Sequence, residues 1–246
     1  MQLVFDFPIN PRYTFDNFVV CGGNGAAYRF ARLLAAGEEQ NLLYIYGPAG
    51  SGKTHLLMAL GKSFYDTIHL PQAIPYVSFK EIDELYRGEY RAEQASKLAE
   101  RFSNAPILLV DDLHLIPDTP YLRQELWQLF NDFHGAGKKI AITGLHPPKE
   151  LPHLDDHLVS RLLWGLVAKV DVSDDASRRL ILQKLAADRQ VVLPDDAIDY
   201  LLAHTARDIE SLIGALEEIN RHALATGRKI SARLAREALE SRGAAG

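Results

Sequence analysis

Gly47-Pro48-Ala49-Gly50-Ser51-Gly52-Lys53-Thr54 is the stretch that decides the fold of this chain. It fits G-x-x-x-x-G-K-[ST], in which glycines let the backbone curl until successive N–H groups face a polyphosphate. Lys53 would supply charge to the β and γ phosphates, and Thr54 would place a hydroxyl on Mg²⁺. The surroundings agree with this reading. Asn41-Leu42-Leu43-Tyr44-Ile45-Tyr46 reads as a buried strand, and His55-Leu56-Leu57-Met58-Ala59-Leu60 begins an apolar-faced helix whose N-terminus favours an anion.

Downstream, Ala105-Pro106-Ile107-Leu108-Leu109-Val110-Asp111-Asp112 is an apolar run ending in two carboxylates. A strand there would bring Asp111 to Mg²⁺, directly or through water, while Asp112 polarises an attacking water. Ile74-Pro75-Tyr76-Val77-Ser78-Phe79 and Lys139-Ile140-Ala141-Ile142-Thr143 read as further strands, the polar stretch Lys80 to Arg101 as a helix. Leu122, Leu126, Leu129, Phe130 and Phe133 share one helix face, with Trp127 beside it and Gly135 and Gly137 ending the pattern. Strands alternating with helices predict an α/β fold: a parallel sheet with helices on both faces, binding ligands at the carboxyl ends of its strands.

Upstream, Tyr13 to Val20, the loop Gly22-Gly23-Asn24-Gly25 and a helix from Ala26 to about Ala36 form a segment able to fold over the base of a nucleotide. From Asp174 the pattern is helical only. Asp174-Asp175 can cap a helix carrying Leu180, Ile181, Leu182 and Leu185, and Pro194-Asp195-Asp196 starts another. A third runs from near Arg207 to Gly227, and Ser231 caps a last one. The expected organisation is a tail over 1–10, a nucleotide-binding base over 11–172 and a small all-helical lid over 173–246.

Composition sets the frame. The chain of 246 residues is 47% hydrophobic and 24% charged, the balance of a folded protein with a good-sized core. No apolar run approaches the roughly 18 residues a membrane helix needs, and the start has no basic region ahead of an apolar one. The single cysteine, Cys21, suits a reducing cytoplasm and reads as a packing residue. A net charge of −5 supplies no general drive towards nucleic acid.

Taken together, these segments resemble an AAA+ ATPase of the bacterial DnaA family. The resemblance is carried by Tyr13 to Val20, Gly52-Lys53-Thr54-His55-Leu56-Leu57, Val110-Asp111-Asp112-Leu113, Pro147-Pro148-Lys149-Glu150-Leu151, and Ser160-Arg161 with Trp164-Gly165-Leu166. It implies a five-stranded parallel sheet followed by a lid. It also implies ATP or ADP with Mg²⁺, bordered by Val19 and Val20, by Gly47, Pro48, Gly50, Ser51, Gly52, Lys53 and Thr54, and by His55 and Arg207. Arg161 matches the family's arginine finger, which reaches nucleotide on a neighbouring subunit, and Arg207 matches the sensor 2 arginine. Read without the family, Arg161 is a surface arginine and Arg207 a helix-start residue.

Two departures shape the expected function. Leu145 stands where the family initiator carries a polar residue, so self-catalysed hydrolysis is expected to be weak unless Thr143 or His146 substitutes. The sequence ends at Gly246, just after the lid, so the initiator's helix-turn-helix domain is expected to be absent. The start, Gln2-Leu3-Val4-Phe5-Asp6-Phe7, is either a terminal strand or a tail for a partner. It resembles a peptide that binds the DNA polymerase III sliding clamp (β subunit), with Gln2, Leu3, Phe5 and Phe7 in contact and Phe5 where leucine is commoner. The combination is similar to the Hda group of DnaA-family regulators, which bind the clamp and promote hydrolysis of DnaA-bound ATP. Contact with DNA is then indirect, through the clamp, and a homo-oligomer is compatible. A rival reading is a loader or adaptor for single-stranded DNA, using Arg221, Arg228, Lys229, Arg233 and Arg236, residues that a solvated helix face explains as well. A small-molecule kinase on the same loop is the weaker rival.

Overall fold

The apolar run before the phosphate loop forms strand β1 (Leu42–Tyr46), and a computed structural model of the chain places it inside a five-stranded sheet. The structure describes residues 13–38, 40–68, 74, 76–80 and 105–243. The other strands are β2 (Tyr76–Ser78), β3 (Ile107–Asp111), β4 (Lys139–Gly144) and β5 (Leu166–Lys169). Their order is β2-β3-β4-β1-β5. Every pairing is parallel. Strands covered on both faces need near-continuous apolar sequence rather than alternation. β3 obeys this, with all five residues buried.

Helices α1 (Gly25–Ala35), α2 (Lys53–Ile68), α3 (Pro120–Gly135) and α4 (Asp156–Leu162) accompany the sheet. Leu126, Leu129, Phe130 and Phe133 of α3 pack with Leu108, Val110, Ile140 and Ile142 in one core cluster. Trp127 packs partly buried against that cluster. The side chain of Leu122 lies outside the described residues, as do the expected helix over Lys80 to Arg101 (from residue 81) and the tail 1–10.

The chain divides into two compact units, one holding 24–48 and 52–170, the other 19–23, 49–51 and the segment from Asp171 onward. The second contains α5 (Asp175–Asp188), α6 (Asp195–His204), α7 (Ile209–Thr226) and α8 (Ala232–Gly243), with no strand among its described residues. Its core joins Leu182, Ile198, Leu201, Leu212, Leu216, Ile219 and Leu234. The expected Asp174 cap is present, its carboxylate accepting from the Ser177 N–H at 2.8 Å; Asp208 caps α7 in the same way, accepting from the Ser211 N–H at 2.7 Å, and Gly227 ends that helix in the left-handed conformation. Of the apolar residues read into α5, Ile181 and Leu182 are buried and Leu180, at 47% exposure, faces solvent.

β5 and α4 had no reading from periodicity. β5 is an edge strand of which only Ala168 is buried, so it lacks the apolar run that marks its neighbours. A helix of seven residues carries too few turns to show a stripe.

Candidate functional site

The loop between β1 and α2 has the backbone its glycines predict. Gly50 and Gly52 adopt φ of +67° and +97°, which side-chain-bearing residues rarely do. At Gly47 (φ +154°) an added Cβ would lie 2.0 Å from the Val170 carbonyl oxygen, so only glycine lets β1 leave the sheet there. Lys53 is buried, and its ammonium donates to the carbonyls of Gly47 (2.9 Å) and Pro48 (2.8 Å). Burial pushes it below the ordinary lysine range, an effect opposed by Asp112 and Asp111. Among the described residues the buried Ser51 hydroxyl has no hydrogen-bond partner. A burrowed cation, an unpaired hydroxyl and a helix N-terminus together suit an oxyanion, and this polyphosphate cradle is the observation that fits a nucleotide to the site.

Asp111 ends β3 at 3% exposure. Its Oδ2 accepts from the Tyr76 hydroxyl at 2.9 Å, and its Oδ1 accepts from the hydroxyls of Thr54 (3.3 Å) and Thr143. Thr143, wholly buried on β4, also accepts from the Asp112 N–H at 3.0 Å. One hydroxyl therefore fixes both acids. Asp112 turns out of the strand with φ 55° and ψ 45°, a left-handed conformation that aspartate tolerates better than most residues. Burial, then repulsion from Asp111, raises its carboxyl above the usual range, against the pull of His114, Lys53 and Lys80. Thr54 and Asp111 lie side by side, as a shared Mg²⁺ would need.

The sequence reading left two substitutes for Leu145, and the structure answers for one. Thr143 gives its one proton to Asp111 and accepts from the Asp112 N–H, so its hydroxyl has no donor left for a water. His146 is exposed, and its carbonyl accepts from the buried Tyr44 hydroxyl at 2.7 Å.

The segment Tyr13 to Phe18 packs around the start of α2. The His55 ring bonds the Thr14 carbonyl (2.9 Å) and meets the Phe18 ring edge-on at 5.2 Å, while Phe18 stacks on Tyr28 at 5.7 Å. His55 is thus a ring partner of this segment. Val20 is 48% exposed, in the stretch 19–23 that groups with the second unit.

Arg161 lies in the last turn of α4. Its guanidinium carbon lies 3.9 Å from the centroid of the Trp127 ring and 5.5 Å from that of Trp164. In the second unit, Arg207 donates to the Ser173 carbonyl (2.9 Å) and to Asp175 (3.0 Å). Asp175 also receives the fully buried Arg178, which further donates to the carbonyls of Leu202 (3.1 Å) and Ala206 (3.0 Å). That arginine ties down the turn preceding Arg207. Its importance was invisible in sequence, where it reads as one polar residue of a capped helix.

Four of the five basic residues named for the single-stranded DNA reading are paired with acids. Arg221 meets Glu218 (2.6 Å), Arg228 and Arg233 meet Glu237 (2.5 and 3.0 Å), and Arg236 meets Glu240 (2.8 Å). No helix among the described residues is long and apolar enough to cross a membrane.

The sheet order, the phosphate loop and the strand-end acids define a P-loop AAA+ module. The family model of the bacterial DnaA ATPase domain matches residues 9–169, and that of the Hda lid domain matches residues 175–239. The chain belongs to the bacterial DnaA ATPase-domain family. It is 33% identical over 236 residues to the chromosomal replication initiator protein DnaA of Enterococcus faecalis, covering 95% of this chain and 52% of that protein, so it spans about half of that relative. Domain III of Thermotoga maritima DnaA superposes with a TM-score of 0.81 at 30% identity, covering 95% of this chain and 98% of that one. AMPPCP-bound DnaA of Aquifex aeolicus gives 0.73 at 26% identity, over 86% of this chain and 66% of that one.

Proposed function

We propose that this protein is an adenine-nucleotide-binding regulator of replication initiation that acts on DnaA in trans. ATP or ADP would occupy the loop Gly47–Thr54, with Lys53 on the phosphates and Mg²⁺ between Thr54 and Asp111. Arg207 would reach the phosphates from the lid, and Val19 and Val20 would border the base. The protein's own hydrolysis is weak in this reading. Asp112 would polarise the water, yet Leu145 offers no polar group to orient it and the Thr143 proton is already given to Asp111.

The observation that carries the trans reading is the state of Arg161. Among the described residues no carboxylate or carbonyl takes its N–H groups, while ring faces hold its guanidinium. Such a cation suits a γ-phosphate presented by another molecule, whose transition-state charge it would stabilise. Gln2, Leu3, Phe5 and Phe7 would tether the protein to the sliding clamp, concentrating it near DNA without direct DNA contact.

The test measures hydrolysis of ATP held by DnaA, with and without this protein and clamp. The wild type stimulates, Arg161→Ala does not, and a Gln2→Ala, Leu3→Ala, Phe5→Ala variant loses the dependence on clamp. Full stimulation by Arg161→Ala sinks the mechanism. The adaptor for single-stranded DNA remains the second outcome, but pairing of the basic lid residues with acids speaks against it.

A further inference from the structure

Arg161 is held in an unusual way for a charged side chain. At 3.9 Å its guanidinium carbon is in contact with the face of Trp127, and Trp164 closes in from another side at 5.5 Å. Each tryptophan has its own support: Trp127 leans on His157 (6.3 Å between centroids), and Trp164 on His134 (5.4 Å), which stacks on Phe130 (5.9 Å). Phe130 is a buried residue of the core, so the cluster is anchored to the sheet through α3. Trp164 is 59% exposed.

Resting on the trans reading above, we infer that Trp127 and Trp164 are positioning residues for Arg161, holding its guanidinium by the ring faces so that all its N–H donors stay available to a phosphate from outside. The chemistry favours this device. A guanidinium is planar, its donors lie in the plane and its faces are weakly hydrated, so stacking and bidentate phosphate binding use different parts of the group. A hydrogen-bonding support would fix the side chain equally well but consume the donors. Without support, a long side chain near the end of a short helix would have to lose its rotamer freedom on meeting the phosphate, with a corresponding loss of rate.

The chain's two tryptophans are these two residues, so its intrinsic tryptophan emission comes from this cluster alone. In the isolated protein, Arg161→Ala should change the intensity or wavelength of that emission, also in a Trp164→Leu background where Trp127 is the sole fluorophore. Unchanged emission in both would overturn the contact. In the trans assay with ATP-loaded DnaA, Trp127→Leu and Trp164→Leu should each lower the maximal rate about tenfold at an unchanged half-saturating concentration, the loss expected from removing a cation–π support. Trp127→Phe and Trp164→Phe should restore most of it. Because Trp164 is exposed, its variants test the inference even if Trp127→Leu misfolds.

If Arg161→Ala is inactive while both leucine variants match the wild type, the positioning role is wrong and the trans reading stands. A change confined to half-saturation would make the tryptophans partner contacts and overturn the inference. Stimulation by Arg161→Ala at the wild-type rate would remove the trans reading itself and, with it, the role proposed for the tryptophans.

Discussion

Asp111 and Arg161 are both charged groups of the first unit near the C-terminal ends of their elements, and the protein holds them by opposite means. Asp111 is almost fully buried and receives hydroxyls from Tyr76 on β2, Thr54 on α2 and Thr143 on β4. Arg161 lies against ring faces and gives no hydrogen bond among the described residues. Hydrogen bonds fix an atom's position at the expense of its bonding capacity, and a carboxylate with roughly four acceptor sites can spare three and still take a metal or its water. A cation meant for an external phosphate cannot spare its donors. On the proposed reading, the difference separates a pocket for nucleotide from a group offered to a partner.

The largest expected effect separates the two directly. Lys53→Ala should weaken ATP and ADP binding by about a hundredfold or more, since hydrogen bonds to charged groups contribute about 1.5–3 kcal/mol each. Arg161→Ala should leave that affinity within about twofold. Titration calorimetry reads both, and equal losses would erase the distinction between a holding pocket and an offered group. Next in size is Thr143→Val, which keeps the shape but removes the donor to Asp111 and strands the Asp112 N–H. A buried unsatisfied group costs about 1–3 kcal/mol, so Tm should fall by roughly 5 °C. An unchanged Tm would show that water replaces the hydroxyl and that the acids are less fixed than their bonds suggest.

Much of this pocket was legible in the sequence because its parts are local. The loop glycines, Lys53, the run ending in Asp111 and Asp112, and the cap Asp174 each announce themselves within a few residues. The partners of these groups do not. Tyr76 and Thr143 reach Asp111 only because β2 and β4 flank β3, with Ser78 opposite Asp111 and Ile142 opposite Val110 in the parallel register. Nothing in the spacing of residues 76, 111 and 143 encodes that register. The same holds for Arg161: Ser160-Arg161 is readable through family resemblance, whereas Trp127 comes from a helix that reads only as core.

The pH dependence of Asp112 sharpens the contrast by testing how dry the pocket is. Its carboxyl is raised in the folded protein, so it contributes stability that is fully present below its unfolded value and is lost as pH rises through the folded one. At neutral pH the ionised group is a cost, from burial first and from Asp111 second. Asp112→Asn should therefore raise Tm at neutral pH by a few degrees at most, about 1 kcal/mol or less. The gain should shrink as the wild type is protonated in acid. Thermal melts of both proteins from pH 7 down to about pH 4 would check the sign, and a variant less stable than wild type at neutral pH would mean that His114 and Lys53 outweigh the desolvation.

The smallest expected effect concerns a third kind of charged group, the lid arginines, whose donors are occupied at the surface. Glu237 sits between Arg228 and Arg233, and their hydrogen bonds pull its carboxyl down to about 2. Glu240 holds Arg236 in the same manner. These pairs are exposed, so their contribution to stability is minor, but they cancel the positive charge a DNA backbone would seek. Glu237→Gln with Glu240→Gln should leave Tm almost unchanged and raise binding of a single-stranded oligonucleotide about threefold at low salt, from a weak starting level. Tight binding by the wild type, with a steep loss on adding salt, would instead show that the acids yield to phosphate. The lid would then be a second surface offering its cations outward, as proposed for Arg161.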